Sequence, residues 1–378
     1  MRNYRQEFSD WSPQVYLDCA YQGPFPRVTA ERTRQAIELK SQPDRLKAPE
    51  YIGLPNRVRE RIARLSGAEA GEIAITSSAT QGIGIPAAGL ELGAGDEVVV
   101  ASSNFPSNLF TWLHLRRKGV TVKVIHAPEG EVTLDQVAAE LTPRTRVLAL
   151  DWVNYSTGYR IDLTAFGSLI HERGGIFVVD GSQGVAANDL NLHDLPVDVM
   201  ACAAYKWLLG PYGTGFAYVS RDLLSKLDLP VINWCSVEGA ENFDSLPTEE
   251  FRLIHGARVF DSGETASFIN LSGLEASLEF LEGVTVGSVI GHCRQLLLRL
   301  EEGLRARGYT LSAAALPSHA STILGFRART SEATANLHQK LSANHIAVSL
   351  RHGMIRVSPY LYNDEADIDR LLEIAPPA

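Results

Sequence analysis

The chain has 378 residues, with 35 Lys+Arg against 44 Asp+Glu and a formal charge of −9. Apolar residues make up 45% and charged residues 21%, a globular composition that excludes a disordered chain, a collagen-like fibre and a disulfide-stapled miniprotein. The length exceeds the ~250–300 residues at which single cores stop growing, so two lobes are expected, and an acidic surface without a Lys/Arg-rich run argues against nucleic acid and anionic membranes.

The opening stretch, MRNYRQEFSDWSPQVYLD, is polar and lacks the apolar core of a signal peptide. Pro55–Leu65 (PNRVRERIARL) reads as an amphipathic helix with Pro55 at its start. Short β-branched runs then alternate with turns and helical stretches. The runs are Ile73–Thr76, Glu97–Ala101, Val122–Ile125, Arg146–Asp151, Gly175–Asp180, Val197–Ala203 and Gly215–Ser220. Leu134–Leu141 and Leu163–Arg173 between them have helical spacing. This alternation predicts a mostly parallel sheet covered on both faces, whose ligands collect at the carboxyl ends of the strands.

The polar stretch 238–260 reads as a bridge between lobes. Beyond about residue 270, Leu274–Leu281 and Gln295–Arg307 read as helices. Strands follow at Ser321–Phe326, Ile346–Leu350 and Met354–Val357, and a closing helix at Asn363–Ile374. A smaller α+β domain fits there, giving expected domains 1–255 and 256–378. No apolar run approaches the ~18–20 residues of a membrane helix. Cys19, Cys202, Cys235 and Cys293 form no CxxC pair and read as reduced thiols, Cys202 packed within a strand. A cytoplasmic protein is expected.

Two residues stand out chemically. Asp180 ends the apolar run GIFVVD, and Lys206 follows another apolar run in AAYKWLLGPYGTGF. A buried lysine has a lowered pKa and a nucleophilic amine, and an unpaired buried carboxylate is costly. An acid and a lysine on neighbouring strand ends meet the needs of a pyridoxal phosphate site, where the lysine binds the aldehyde and the acid protonates the ring nitrogen. The pair reads equally well as a plain Asp–Lys ion pair at a lobe interface.

The wording of the motifs tips that balance. The chain resembles the class V aminotransferase family of pyridoxal-phosphate enzymes, which includes cysteine desulfurases, selenocysteine lyases, isopenicillin N epimerases and kynureninases. The resemblance runs from YLDCA at 16–20 to SPYLYNDEADIDRLL at 358–372. It is carried in order by TSSATQGIG, SNFPSN, WVNYSTG, VVDGSQG, AYKWLLGPYGTG and IRVSPYLYN.

The resemblance implies a fold type I α/β enzyme with a mostly parallel seven-stranded sheet in the large domain, a pyridoxal 5'-phosphate cofactor, and a homodimer with shared active sites. It makes Lys206 the Schiff-base lysine and the proton shuttle at Cα, and Asp180 the partner of the pyridinium nitrogen. Gln183 would meet the phenolic oxygen, Phe105 would lie on the ring, and Ala79 and Thr80 would open a phosphate-binding helix. Ser107, Asn108 and Tyr155 fall near the cofactor, as do Trp234 and Thr265 more loosely. Tyr205 stands where desulfurases carry a His. Arg356 would pair with the substrate carboxylate, a role that Arg351 could share. A desulfurase also needs a mobile loop cysteine shortly before that arginine, and SLRHGM has none.

The expected activity is therefore a lyase that cleaves a bond at Cβ of a small α-amino acid, with an aminotransferase or epimerase as the alternative and a catalytically silent scaffold after that. Other chemistries lack their signatures: Gly82 and Gly84 do not continue into GxGxxG, the ten histidines form no HExxH or HxH, and no serine sits in GxSxG. No metal is expected.

Overall fold

The computed structural model describes residues 4–228, 232–240, 242, 244, 249–263 and 267–378. Strand β1 (Val15–Tyr16) leads into helices α1 (Arg27–Ser41) and α2 (Ala48–Ser66). The central region follows as β2 (Ile73–Thr76), α3 (Ala79–Gly89), β3 (Glu97–Ala101), α4 (Pro106–Leu113), β4 (Thr121–Ile125), α5 (Leu134–Glu140), β5 (Thr145–Asp151), α6 (Leu163–His171), β6 (Ile176–Asp180), β7 (Val199–Ala203), β8 (Gly215–Val219) and α7 (Arg221–Leu224). The remainder comprises α8 (Phe268–Glu282), α9 (Val286–Ala306), β9 (Thr310–Leu311), β10 (Leu324–Arg327), α10 (Ser331–Ala343), β11 (Ile346–Ala347), β12 (Ser349–Arg351), β13 (Met354–Val357) and α11 (Glu365–Ile374). The all-helix-and-strand alternation expected from the apolar runs is present, with boundaries within about two residues for the seven strands.

Those seven strands form one sheet in the order β2-β8-β7-β6-β5-β3-β4. The pairs β3–β4, β3–β5, β5–β6 and β6–β7 are parallel, and β8 runs antiparallel to both β7 and β2. The inner strands EVVVA, VMACA and GFAYV are buried along their whole length, as strands covered on both faces must be. One apolar cluster under the sheet joins Val99, Leu148, Phe177 and Trp207 to α2 and α8 residues, and another on the opposite face joins Val98, Ala149, Val178 and Trp112 to α3.

A four-stranded antiparallel sheet, β12-β13-β10-β9, packs with α9, α10 and α11 around Leu296, Leu300, Phe326, Ile355 and Leu371. Val15 and Leu17 from the N-terminal segment belong to this same cluster, and β1 pairs in parallel with β11.

Three expectations are corrected. Pro55 lies inside α2 rather than at its start: Pro49 in the first turn takes the position where a missing N–H costs nothing, and the apolar stripe sets the rest. Ser321–Phe326 begins as strand only at Leu324, because Ser321 turns its hydroxyl onto Gly158 and Ile323 backbone. Ile346–Leu350 is two strands, since the first two residues pair with β1 and Ser349–Arg351 pair with β13.

Candidate active site

The carboxyl ends of β5, β6 and β7 lie side by side, with Asp151 opposite Asp180 and Asp180 opposite Ala201 in register. Chemistry-bearing residues thus converge because the sheet is parallel there, and not through any local motif. Asp180 is buried, and its Oδ1 accepts the Ser182 N–H at 2.9 Å. Lys206 sits in the turn after β7 and is 6% exposed. Burial lowers its pKa below the ordinary 10.5; the Asp180 charge opposes that shift and Arg356 adds to it.

A cavity of about 320 Å³ opens over Lys206, walled by Tyr21, Phe105, Tyr155, Gln183, Arg351 and Arg356 together with Tyr205 and Tyr212. The Lys206 Nζ lies 5.2 Å from the Phe105 ring centroid and 5.6 Å from that of Tyr205. Tyr205 in turn stacks on Tyr212 at 4.2 Å. Gln183 is anchored at both ends of its amide: Nε2 donates to the Ala20 carbonyl at 2.9 Å, and Oε1 accepts the Trp207 Nε1–H at 2.8 Å. One N–H and one lone pair remain for a ligand.

Arg356 is 2% exposed and already engaged. Its Nη2 donates to Asp18 Oδ1 at 2.8 Å and to Ser349 Oγ at 3.2 Å, and its Nη1 donates to the Tyr155 carbonyl at 2.7 Å. Its Nε is buried without a partner. Arg356 lines the cavity, and a guanidinium is the group that pairs best with a carboxylate. Arg351 is half-exposed on the same wall, with its guanidinium 5.8 Å from the Tyr21 ring.

Ala79, Thr80, Ser107 and Asn108 do not line this cavity, although Phe105 and Pro106, next to Ser107, do. Ser78 caps α3 by accepting the Gln81 N–H, and Pro106 opens α4. Thr80 Oγ1 donates to Ser107 Oγ at 2.7 Å, which ties the first turns of α3 and α4 together. Asn108 is fully buried and donates to Asp151 Oδ1 at 3.1 Å. Trp234 stands in a short turn, 234–236, whose Cys235 and Ser236 border a separate small cleft with Pro55 and Asp261. Thr265 lies outside the described residues. Cys202 is buried in β7, and burial pushes its thiol up.

Three participants escaped the reading of the sequence. Asp151 holds the Phe105 turn in place: its Oδ2 accepts the Phe105 N–H at 2.6 Å, and burial followed by the Asp180 charge pushes its carboxyl well above the ordinary range. Its signal was visible, since VLALD ends an apolar strand as IFVVD does. Asp18 and His352 had no such signal. His352 accepts or donates at 2.6 Å to the Tyr155 hydroxyl.

The family model described as aminotransferase class-V matches residues 48–371. The chain is 26% identical over 389 residues to a probable cysteine desulfurase of Methanothermobacter thermautotrophicus, covering 95% of this chain and 93% of that protein. It is 26% identical over 388 residues to an isopenicillin N epimerase of Amycolatopsis lactamdurans, covering 98% and 96%. Among solved structures, a C-DES variant with glycine covalently linked to its PLP cofactor superposes with a TM-score of 0.88 over 98% of both chains at 22% identity, a likeness of fold.

Proposed function

The chain belongs to the aminotransferase class-V family, and on that premise we propose that it is a lyase acting on a small α-amino acid, cleaving a bond at Cβ. It is a pyridoxal-phosphate enzyme of fold type I. The residues present fit that cofactor and its substrate: a desolvated lysine amine, a buried carboxylate one strand away, and a buried arginine, Arg356, on the wall of the same cavity. That convergence is the observation that carries the reading.

When bound, pyridoxal phosphate supplies an aldehyde that captures an amine and an electron-poor ring that draws charge from Cα. Lys206 would hold that aldehyde, and its amine would be the group placed to take a proton from the substrate's Cα. Burial lowers its pKa and so favours the neutral, basic amine. Asp180 would hold a proton on the ring nitrogen. Phe105 would pack on the ring, and Gln183 would offer its remaining N–H to the ring oxygen. Thr80 and Ser107 would hold the phosphate. Arg356 would meet the substrate carboxylate, with Arg351 beside it.

The turn before Arg356 argues for elimination without a persulfide carrier. β12 and β13 are joined by His352 and Gly353 alone, too short to carry a mobile nucleophile, and no cysteine borders the cavity.

The test is Lys206→Ala together with product analysis of the wild type. Lys206→Ala is expected to take up the cofactor without a covalent link and to lose turnover by the ~10²–10⁴-fold or more attached to a proton-transfer group. The wild type is expected to release pyruvate from β-substituted alanines while the cofactor's visible band persists. Stoichiometric transfer of the amino group to the cofactor would establish an aminotransferase instead, and full activity in Lys206→Ala would remove the assignment.

A further inference from the structure

Elimination at Cβ moves two protons. Lys206 accounts for the one leaving Cα; the departing group needs another. The Phe105 ring has none to give, and no cysteine lines the cavity. Of the phenols on its wall, Tyr205 and Tyr21 hydrogen-bond no titratable side chain among the described residues, and Tyr212 reaches only Gln22 Oε1, at 3.4 Å.

Tyr155 differs. Its hydroxyl lies 2.6 Å from His352 Nε2, with the two rings edge to face at 5.7 Å. Its own ring meets the edge of Phe105 at 5.2 Å, and its carbonyl is held by Arg356 Nη1. Tyr155 therefore stands between the guanidinium assigned to the substrate carboxylate and the ring that covers the cofactor. Burial raises its pKa, so the phenol keeps its proton until something basic takes it.

His352 looks the other way. It is exposed, and the turn that carries it has positive φ at both residues, 48° at His352 and 76° at Gly353, the geometry of a tight two-residue hairpin. It also borders a second cavity of about 190 Å³, which Tyr155 lines as well, together with Ser102, Ser103, Asn154 and Thr157. Tyr155 thus belongs to the walls of both cavities, and its partner His352 reaches water.

We propose that Tyr155, backed by His352, is the acid that protonates the group leaving Cβ. The proposal rests on the lyase reading above. The Cα–H bond breaks, with its proton passing to Lys206 and its electron pair forming the Cα=Cβ bond as the Cβ–S bond breaks. The sulfur leaves with the electrons of that bond and takes the Tyr155 hydroxyl proton. Imidazolium at His352 returns a proton to the phenolate, and solvent water reprotonates the imidazole. No oxidant or reductant enters.

The experiment compares two substrates on the holoenzyme. Chloride leaves β-chloro-L-alanine without a proton, whereas methanethiolate from S-methyl-L-cysteine needs one. Tyr155→Phe is expected to lower the ratio of the second rate to the first by about 100-fold, the scale of a general acid. His352→Asn, chosen because Asn tolerates positive φ, is expected to lower the ratio in the same direction by about 10-fold or more. In the cofactor-free protein, the NMR titration of His352 is expected to move in Tyr155→Phe, a readout independent of turnover. Equal losses on both substrates, or an unmoved His352 titration, would overturn the relay and leave the lyase reading standing. A wild type that makes pyruvate from neither substrate would overturn both.

Discussion

At the residue scale, the site is governed by what burial costs. Asp18 and Arg356 form an ion pair at 2.8 Å with side chains 8% and 2% exposed, and burial raises the one pKa and lowers the other. Such a pair is weak evidence for stability when intact, but removing one partner strands a charge and costs about 3–5 kcal/mol. Asp18→Ala is therefore expected to lose stability on that scale in a urea melt, and Asp18→Asn distinctly less, because an amide oxygen can still accept from Nη2. Equal losses would show that the contact depends on the charge and that an amide oxygen does not replace it. The motif around Arg356 suggested a carboxylate partner for it. That its fork is largely occupied was not legible, because its partner lies 338 positions away.

At the scale of elements, charge placement at strand ends matters as much as apolar pattern. Glu97 opens β3 with its side chain buried. The Thr142 hydroxyl at 2.7 Å, then Lys123 and Arg144 at 2.9 and 2.8 Å, outweigh its desolvation and hold its carboxyl at about 2 against an ordinary 4.5. A carboxyl lowered on folding contributes stability that is fully present above 4.5 and is lost as the pH falls from there to about 2. Across that window the stability advantage of the wild type over Glu97→Gln is expected to shrink toward zero, measured by denaturant unfolding at a series of pH values. A difference that does not vary with pH would exclude the ionic contribution. The hairpin β12–β13 shows the same economy in backbone terms: two positive-φ residues close it and fix His352 where a longer loop would let it wander.

At the scale of the molecule, the N-terminal segment ties the site together. It supplies Asp18 to Arg356, the Ala20 carbonyl to Gln183, and β1 to β11. It then passes so close under the catalytic turn that the Gly23 N–H donates to the Tyr205 carbonyl at 2.9 Å, and a Cβ at Gly23 would come within 1.9 Å of the Lys206 carbonyl oxygen. Gly23→Ala must push backbone from backbone. It is expected to cost about 1–3 kcal/mol in a thermal or urea melt and to weaken cofactor uptake, read as a lower fraction of protein with the visible band at fixed cofactor. Normal loading and stability would show that the segment can retreat from Lys206 at no cost.

The sequence by itself determined the sheet, the lysine and the acid. Continuous apolar runs can only be strands covered on both faces, and Asp180 and Lys206 declared themselves because a charge at the end of such a run must have a purpose or a partner. Motif order supplied the cofactor, and a missing cysteine in SLRHGM narrowed the reaction. Tertiary structure alone decided what each group is bonded to. Asp151 could have been found by the same run-ending pattern as Asp180, yet its hold on Phe105 and Asn108 exists only because parallel β5 and β6 end in register. The Asp18–Arg356 pair and the Tyr155–His352 pair join residues 338 and 197 positions apart. Spacing along a chain encodes which face of a helix or strand a side chain occupies, but it carries no record of which distant strand end will lie against it.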